Sequence, residues 1–399
     1  MKRSTYLIII GLVAFDYVPK GLFPFMTLNV TLIIILLMAI IGPFVCKSNN
    51  LKLNTFNNRK WVYLILALFG LSIIYPVITS DQTVINTLIA LRHTLPIFFL
   101  FTLLKIAPGE DDLEKSLSFL GKFALVMGVI AIIFPEWFVD NEKLRDFRFD
   151  PGNDLTIIWP GFRMAVLYFY ILIGKLWHSS KYKDLIWTSV FILYIIIVQN
   201  RSTLICAVPF FCLAYIKSNI KYKWVIFAIV FVSISGYILT ILGDLIEETQ
   251  RQLGDTSYNR WQAIQFFLLE QNDNLYTFLF GHGIPAKGSS YLDSLLSAQN
   301  MRLAFISDIG LLGTYYYYGI AMLIIIYRFV FIGIFNRKMP IYVRLYSLWL
   351  LFVPTIHLFG VGYAPDMLLF VLYFYMIDLY KSSSTNERRL NHNCQLQYA

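Results

Sequence analysis

The sequence predicts an all-α, polytopic integral membrane protein of about twelve transmembrane helices. Two observations carry this. The 399-residue chain is 58% hydrophobic and only 14% charged, whereas soluble domains hold near a quarter charged residues. Apolar runs of about twenty residues recur along its whole length, which is what an α-helix needs to cross hydrocarbon. A soluble domain with one anchor is therefore excluded. A third observation sets the organisation: one long hydrophilic stretch, 244–307, interrupts the apolar pattern late in the chain. The expectation is a single transmembrane domain over 1–381, with 244–307 as its large outer loop, followed by a polar cytoplasmic tail over 382–399.

In order, the first span is 5–19. It follows Lys2 and Arg3 like the start of a signal peptide, but Asp16, Tyr17 and Pro19 occupy the place of a small-residue cleavage site, so it reads as an uncleaved span. Next come 22–45, 61–79 and 84–104, the last holding Arg92 and His93. After 117–138, the span 156–177 carries Pro160 and Arg163. A turn at Gln199–Arg201 divides 184–200 from 202–217, which carries Pro209. Such prolines are tolerated where neighbouring helices or water satisfy the freed backbone. The remaining spans are 223–243, 306–334, 341–359 and 363–380.

Orientation follows from Lys and Arg. They concentrate in the links after even-numbered spans, as with Lys47, Lys52, Arg59 and Lys60, or Arg337, Lys338 and Arg344. By the positive-inside rule both termini are cytoplasmic, and the loops 139–155 and 244–307 face outward. The net charge of +9 is thus an orientation signal and not a nucleic-acid footprint. Cys46, Cys206, Cys212 and Cys394 have no metal-ligand spacing and none lies in an outer loop, so neither a zinc site nor a disulfide is expected.

Within the large loop, two short helices are expected. Residues 257–270 place Trp261, Ile264, Phe267 and Leu268 on one face. Residues 290–306 open with Ser290 and Asp293 in capping-box spacing, with Leu292, Leu295, Leu296, Leu303 and Ile306 on the apolar side. FGHGIPAKG between them supplies glycines and a proline for a tight turn.

Arginines in or beside a membrane are costly and are functional candidates by default. Arg201 stands at the outer end of the seventh span, Arg260 opens the first loop helix, and Arg302 lies in the second. A guanidinium fork matches two phosphate oxygens at once, so arginines at one outer face suit a lipid-linked diphosphate. The alternative is contact with lipid headgroups, or pairing with Glu247, Glu248 or Asp255. For Arg92 and His93 the alternatives are a structural pair with a helix carbonyl or Asp81, or binding of an anionic group; Arg163 is open in the same way. Candidate general bases are His282 in the turn and Asp308 where the loop returns to the membrane, each with a plainer role as turn residue or helix cap. The run Tyr315–Tyr318 suits a membrane interface, or sugar stacking by one of its rings.

These features resemble the bacterial O-antigen ligase and O-antigen polymerase group. Its twelve spans carry their largest outer loop between spans nine and ten. Its arginine-serine pair corresponds to Arg201-Ser202, and its loop arginine near a tryptophan to Arg260-Trp261. Its FGxG turn corresponds to Phe280, Gly281, His282 and Gly283. Its closing pattern HNxxLxxxxExGxxG reads QNMRLAFISDIGLLG here, matching at Asn300, Leu303, Asp308, Gly310 and Gly313. The departure is Gln299, which stands where the ligases have a histidine and cannot accept a proton as a base. That favours polymerase over ligase.

The resemblance implies a membrane glycosyltransferase of the C type, independent of metal and without a cofactor. It would move a glycan chain from undecaprenyl diphosphate to a hydroxyl of the next lipid-linked repeat, in the bacterial inner membrane. Arg201 and Arg260 would stabilise the departing diphosphate, and Asp308 or His282 would take the acceptor proton. Arg302, Gln299, Asn300, Arg92 and Arg163 would bind substrate. Implied partners are the undecaprenyl-diphosphate-linked oligosaccharide, membrane lipid and a chain-length regulator. A transporter or flippase is the alternative of another class; it predicts paired repeats and interrupted helices around a midplane site, and no repeat is found in the sequence.

Overall fold

The structure is a computed structural model. It describes residues 1–14, 28–46, 58–134, 137–138, 162–177, 181–197, 201–225, 259–271, 274–302, 310–352 and 366–381. These are 85% helical and contain no strand. The helices are α1 Arg3–Ala14, α2 Leu28–Val45, α3 Arg59–Leu71, α4 Ile74–Thr79, α5 Val84–Ala90, α6 Phe99–Ile106, α7 Glu110–Ile133, α8 Phe162–Leu176, α9 Tyr182–Ile197 and α10 Arg201–Lys217. They continue with α11 Asn259–Ile264, α12 Leu275–Phe280, α13 Ser290–Arg302, α14 Leu311–Phe335 and α15 Ile341–Phe352, and end with α16 over 366–381.

Two helices form the centre. In α8 every residue except Arg163, Gly174 and Lys175 is buried, and α16 is buried continuously from Asp366 to Asp378. A helix that is apolar all round belongs inside a bundle. Accordingly α8 packs against α7, α9, α10 and α15. Its contact with α7 is close because Gly121 faces Tyr168, where a Cβ would overlap the ring. Polar contacts hold both ends of α16. Arg163 of α8 forms an ion pair with Asp366 at one end, and Asn58 Nδ2 donates to Asp378 Oδ1 at 3.0 Å at the other.

The exterior is apolar. Ile40, Phe44, Ile78 and Ile85 are among many large apolar side chains left exposed. Three helical stretches, Lys60–Thr79, Val84–Ile106 and Leu311–Phe335, are long and apolar enough to cross a membrane. Both properties are compatible with a membrane protein.

Helices occupy most of the expected apolar runs, with informative shifts. α7 starts at Glu110 instead of 117, because Glu110, Asp111 and Asp112 suit a helix's positive first turn. The expected span 223–243 lies outside the described residues after 225, as do the loop 139–155 and the tail 382–399.

Three expected spans are irregular inside. Between α5 and α6 the chain tightens to a 3-10 helix over Leu91–Phe98, where Pro96 has no amide to donate. The stretch 60–79 is interrupted by a turn between α3 and α4. And α14 is broken at Gly319, whose φ of 74° and ψ of 178° are not helical. The break takes the amides of Ile320 and Ala321 away from the carbonyls of Tyr316 and Tyr317, which must then find other donors.

Candidate functional site

Those donors come from the large loop. His282 N–H donates to the Tyr316 carbonyl at 2.8 Å, and Gly283 N–H to the Tyr317 carbonyl at 3.0 Å. The FGHG turn therefore completes the backbone bonding of the broken helix. Backbone meets backbone here, and only glycine permits it. A Cβ on Gly281 would lie 2.4 Å from the Tyr317 carbonyl, and one on Gly319 would lie 2.2 Å from the Leu279 carbonyl. Both residues also have positive φ.

The other side of the turn is held by residues 71–87. Gln82, 2% exposed, donates to Thr87 Oγ1 at 2.9 Å and to the Ile284 carbonyl at 3.2 Å. Its Oε1 accepts from Ala286 N–H at 2.8 Å. Tyr276 Oη donates to the Leu71 carbonyl at 2.6 Å, beside the α3–α4 interruption. Ser290 Oγ reaches the Ser80 carbonyl at 3.2 Å. The turn thus sits between two interrupted helices and supplies polar partners to both.

His282 lies at the centre. It is 3% exposed. Its ring stacks on Tyr316 at 4.3 Å and meets the edge of Tyr75 at 5.0 Å. Nε2 is 2.7 Å from the Gln271 carbonyl and Nδ1 is 3.3 Å from the Tyr316 carbonyl. Since a carbonyl only accepts, Nε2 carries a proton and donates it. The other nitrogen faces backbone oxygen, not an open space where an acceptor hydroxyl would approach. This geometry is a clamp between the loop and α14.

The loop helices build a small core of their own from Ala263, Phe266, Phe267, Leu295 and Tyr316. The first differs from the expected amphipathic pattern. It widens to a π-helix over Gln265–Glu270, with Gln271 N–H reaching back to the Phe266 carbonyl at 3.1 Å. The wider turn buries the adjacent Phe266 and Phe267 and leaves Trp261 exposed. In the second helix the cap is Ser289, whose Oγ accepts from Leu292 N–H at 3.1 Å, one residue before the expected Ser290. Tyr291 is buried there, 3.3 Å from the Tyr316 hydroxyl. Burial pushes its phenol well above the ordinary tyrosine value, and Tyr316 adds to this. α12, between the two, was not expected; Asn274 caps it by accepting from Thr277 N–H at 2.9 Å. Asn274 three residues before Thr277 was the available sequence signal.

The tyrosine run is not an interfacial belt. Tyr315, Tyr316 and Tyr318 are buried and meet Phe278, Phe267 and Phe69 edge-on. Protein rings surround them.

The structure brings some predicted site residues together. Arg260 lies in α11, and Gln299, Asn300 and Arg302 lie in α13; these two helices pack on each other. Arg201 opens α10, which packs on α8, α9 and α15. The side chains of Arg201, Arg260, Gln299, Asn300 and Arg302 lie outside the described part, and Asp308 lies outside the described residues altogether. Arg92 is committed locally: Nε donates to Asn29 Oδ1 at 3.0 Å and Nη1 to the Ile89 carbonyl at 2.7 Å. His93 Nδ1 is buried without a hydrogen-bond partner. The charge of Arg163 is matched by Asp366, so an anionic substrate would have to compete with a carboxylate there. Sequence reading missed Gln82, the residue that docks the turn. A lone glutamine between two apolar runs was its only signal.

No family model matches the chain, and no curated protein sequence matches it either.

Proposed function

We propose that the chain is a twelve-span polymerase of lipid-linked polysaccharide repeats in a bacterial inner membrane. On this reading it transfers a glycan chain from undecaprenyl diphosphate to a hydroxyl of another repeat unit, at the outer face. The observation that supports it best is the docking of the loop. The FGHG turn closes the break in α14 and is gripped by Gln82. A linker between spans has no need of such anchoring, whereas a site that must hold reacting groups in place does. The anchored turn carries the helix of Arg260 on one side and the helix of Gln299 and Arg302 on the other.

Arg201 and Arg260 take the developing negative charge of the departing lipid diphosphate. His282 is a positioning residue in this scheme, because its ring nitrogens face backbone carbonyls. Asp308 is the remaining candidate for deprotonating the acceptor hydroxyl.

One observation favours a transporter: α14 is interrupted at Gly319, and discontinuous helices mark transport sites. The freed carbonyls, however, each accept a loop N–H, which meets their need for a donor within the protein. The polymerase reading is therefore preferred.

The test is the surface-polysaccharide ladder in cells lacking the gene and complemented with wild type, Arg201→Ala or Arg260→Ala. Single-repeat products in the deletion and both variants, with a full ladder on wild-type rescue, support polymerisation. Full-length polymer accumulating on the carrier lipid means ligation. Loss of all lipid-linked material from the outer leaflet means transport.

A further inference from the structure

Along α14 beyond Gly319 runs a groove of about 1190 Å³, bordered by α15 and the end of α16. It follows the helix from Ile320 to Phe335, about 22 Å at the α-helical rise. Small-molecule clefts hold roughly 300–1,000 Å³ and bury their ligand behind placed polar groups. This groove is larger, open and almost wholly apolar: Ile324, Phe335 and Phe352 are 58%, 73% and 58% exposed. From Arg328 to Ile320 it offers about 12 Å of apolar wall, most of a leaflet's share of a hydrocarbon core of about 30 Å.

The charged residues described in its lining are Arg328 and Lys381, both cationic. The Arg328 guanidinium lies 4.1 Å over the Trp61 ring. Stacking fixes the plane of the guanidinium, and Arg328 is among the residues that line the groove. Trp61 stands in the first turn of α3, which begins at Arg59, so the guanidinium is level with a helix end. Arg59, Lys60, Arg337, Lys338 and Lys381 mark that end as the basic, cytoplasmic side. It is the opposite side from the loop.

We infer that this groove binds an anionic glycerophospholipid of the cytoplasmic leaflet, its phosphate beside Arg328 and Lys381 and its acyl chains along α14. Cationic pockets beside spans on this side suit acidic headgroups, and the apolar length suits two chains. The inference is independent of the polymerase reading.

Native mass spectrometry tests it. The purified full chain in non-ionic detergent is incubated with phosphatidylglycerol or phosphatidylcholine of identical acyl chains. Wild type is expected to retain phosphatidylglycerol about five-fold better, the worth of one basic residue near a charged headgroup. Arg328→Gln is expected to reduce this preference to parity. Ile324→Trp, which fills the groove without altering charge, lowers retention of both lipids, and it carries the test if Arg328→Gln does not elute as folded protein. Equal retention by wild type, unchanged retention in Ile324→Trp, or displacement by millimolar inorganic phosphate overturns the inference. So does stronger retention of a polyprenyl phosphate than of phosphatidylglycerol, which would assign the groove to the carrier lipid.

Discussion

Arg163 and Asp366 form an ion pair between the first turns of α8 and α16, the two helices buried on nearly every side. Each charge is tolerable there because of the other. Asp366→Ala is expected to cost roughly 3 kcal/mol, the low end for breaking a buried pair, since the Arg163 side chain retains 31% exposure. The double variant Arg163→Met with Asp366→Leu should recover most of the loss. Thermal unfolding in detergent measures both. If the double variant keeps its stability but loses polymer formation, Arg163 has a role in substrate binding beyond the pair.

Gln82→Leu removes the group that both donates to the Ile284 carbonyl and accepts from Ala286 N–H. Losing these bonds costs roughly 2 kcal/mol, and the loss is local to the turn. Limited proteolysis between 281 and 289 should quicken by at least ten-fold while global unfolding changes little. Unchanged cleavage would mean that the bonds to α14 hold the turn alone.

Gly319→Ala forces a Cβ against the Leu279 carbonyl at 2.2 Å and a side chain into positive φ. The expected penalty is roughly 1–3 kcal/mol, with undocking of the FGHG turn. Gly70→Ala is the control, because nothing lies within 4 Å of its added Cβ. Equal melting temperatures for the two variants would refute the backbone contact.

His282→Gln retains a donor toward the Gln271 carbonyl but cannot act as a base. A positioning residue predicts a polysaccharide ladder reduced by less than ten-fold. A general base is worth roughly 10²–10⁴-fold, so a loss of that size in a folded variant would return His282 to catalysis.

The helices were legible because hydropathy and length specify them directly: the expected 61–79 and 84–104 correspond to Lys60–Thr79 and Val84–Ile106. Their irregularities were not. Gly319 follows four tyrosines in an apolar run, and nothing local says that its φ will be positive. The break pays off only when His282 and Gly283 arrive from 34 residues away to bond the exposed carbonyls. The π-widening after Ile264 is similar: helical spacing put Trp261 on the packed face, whereas packing of Phe266 and Phe267 against Tyr316 turned it outward. At the site, sequence chemistry found His282 but assigned it by residue type. Its hydrogen-bond geometry depends on Gln271 and Tyr316, which share no motif with it.

Gln82 and Ala286 are separated by 204 residues. At ribosomal rates of about 5–20 residues per second, the first waits roughly 10–40 s for the second to be made. Throughout that interval the Gln82 oxygen lacks its Ala286 donor, and the Leu71 carbonyl lacks the Tyr276 hydroxyl. A chain truncated before Tyr316 would carry a complete turn sequence with one of its two anchors missing, a natural substrate for membrane quality control.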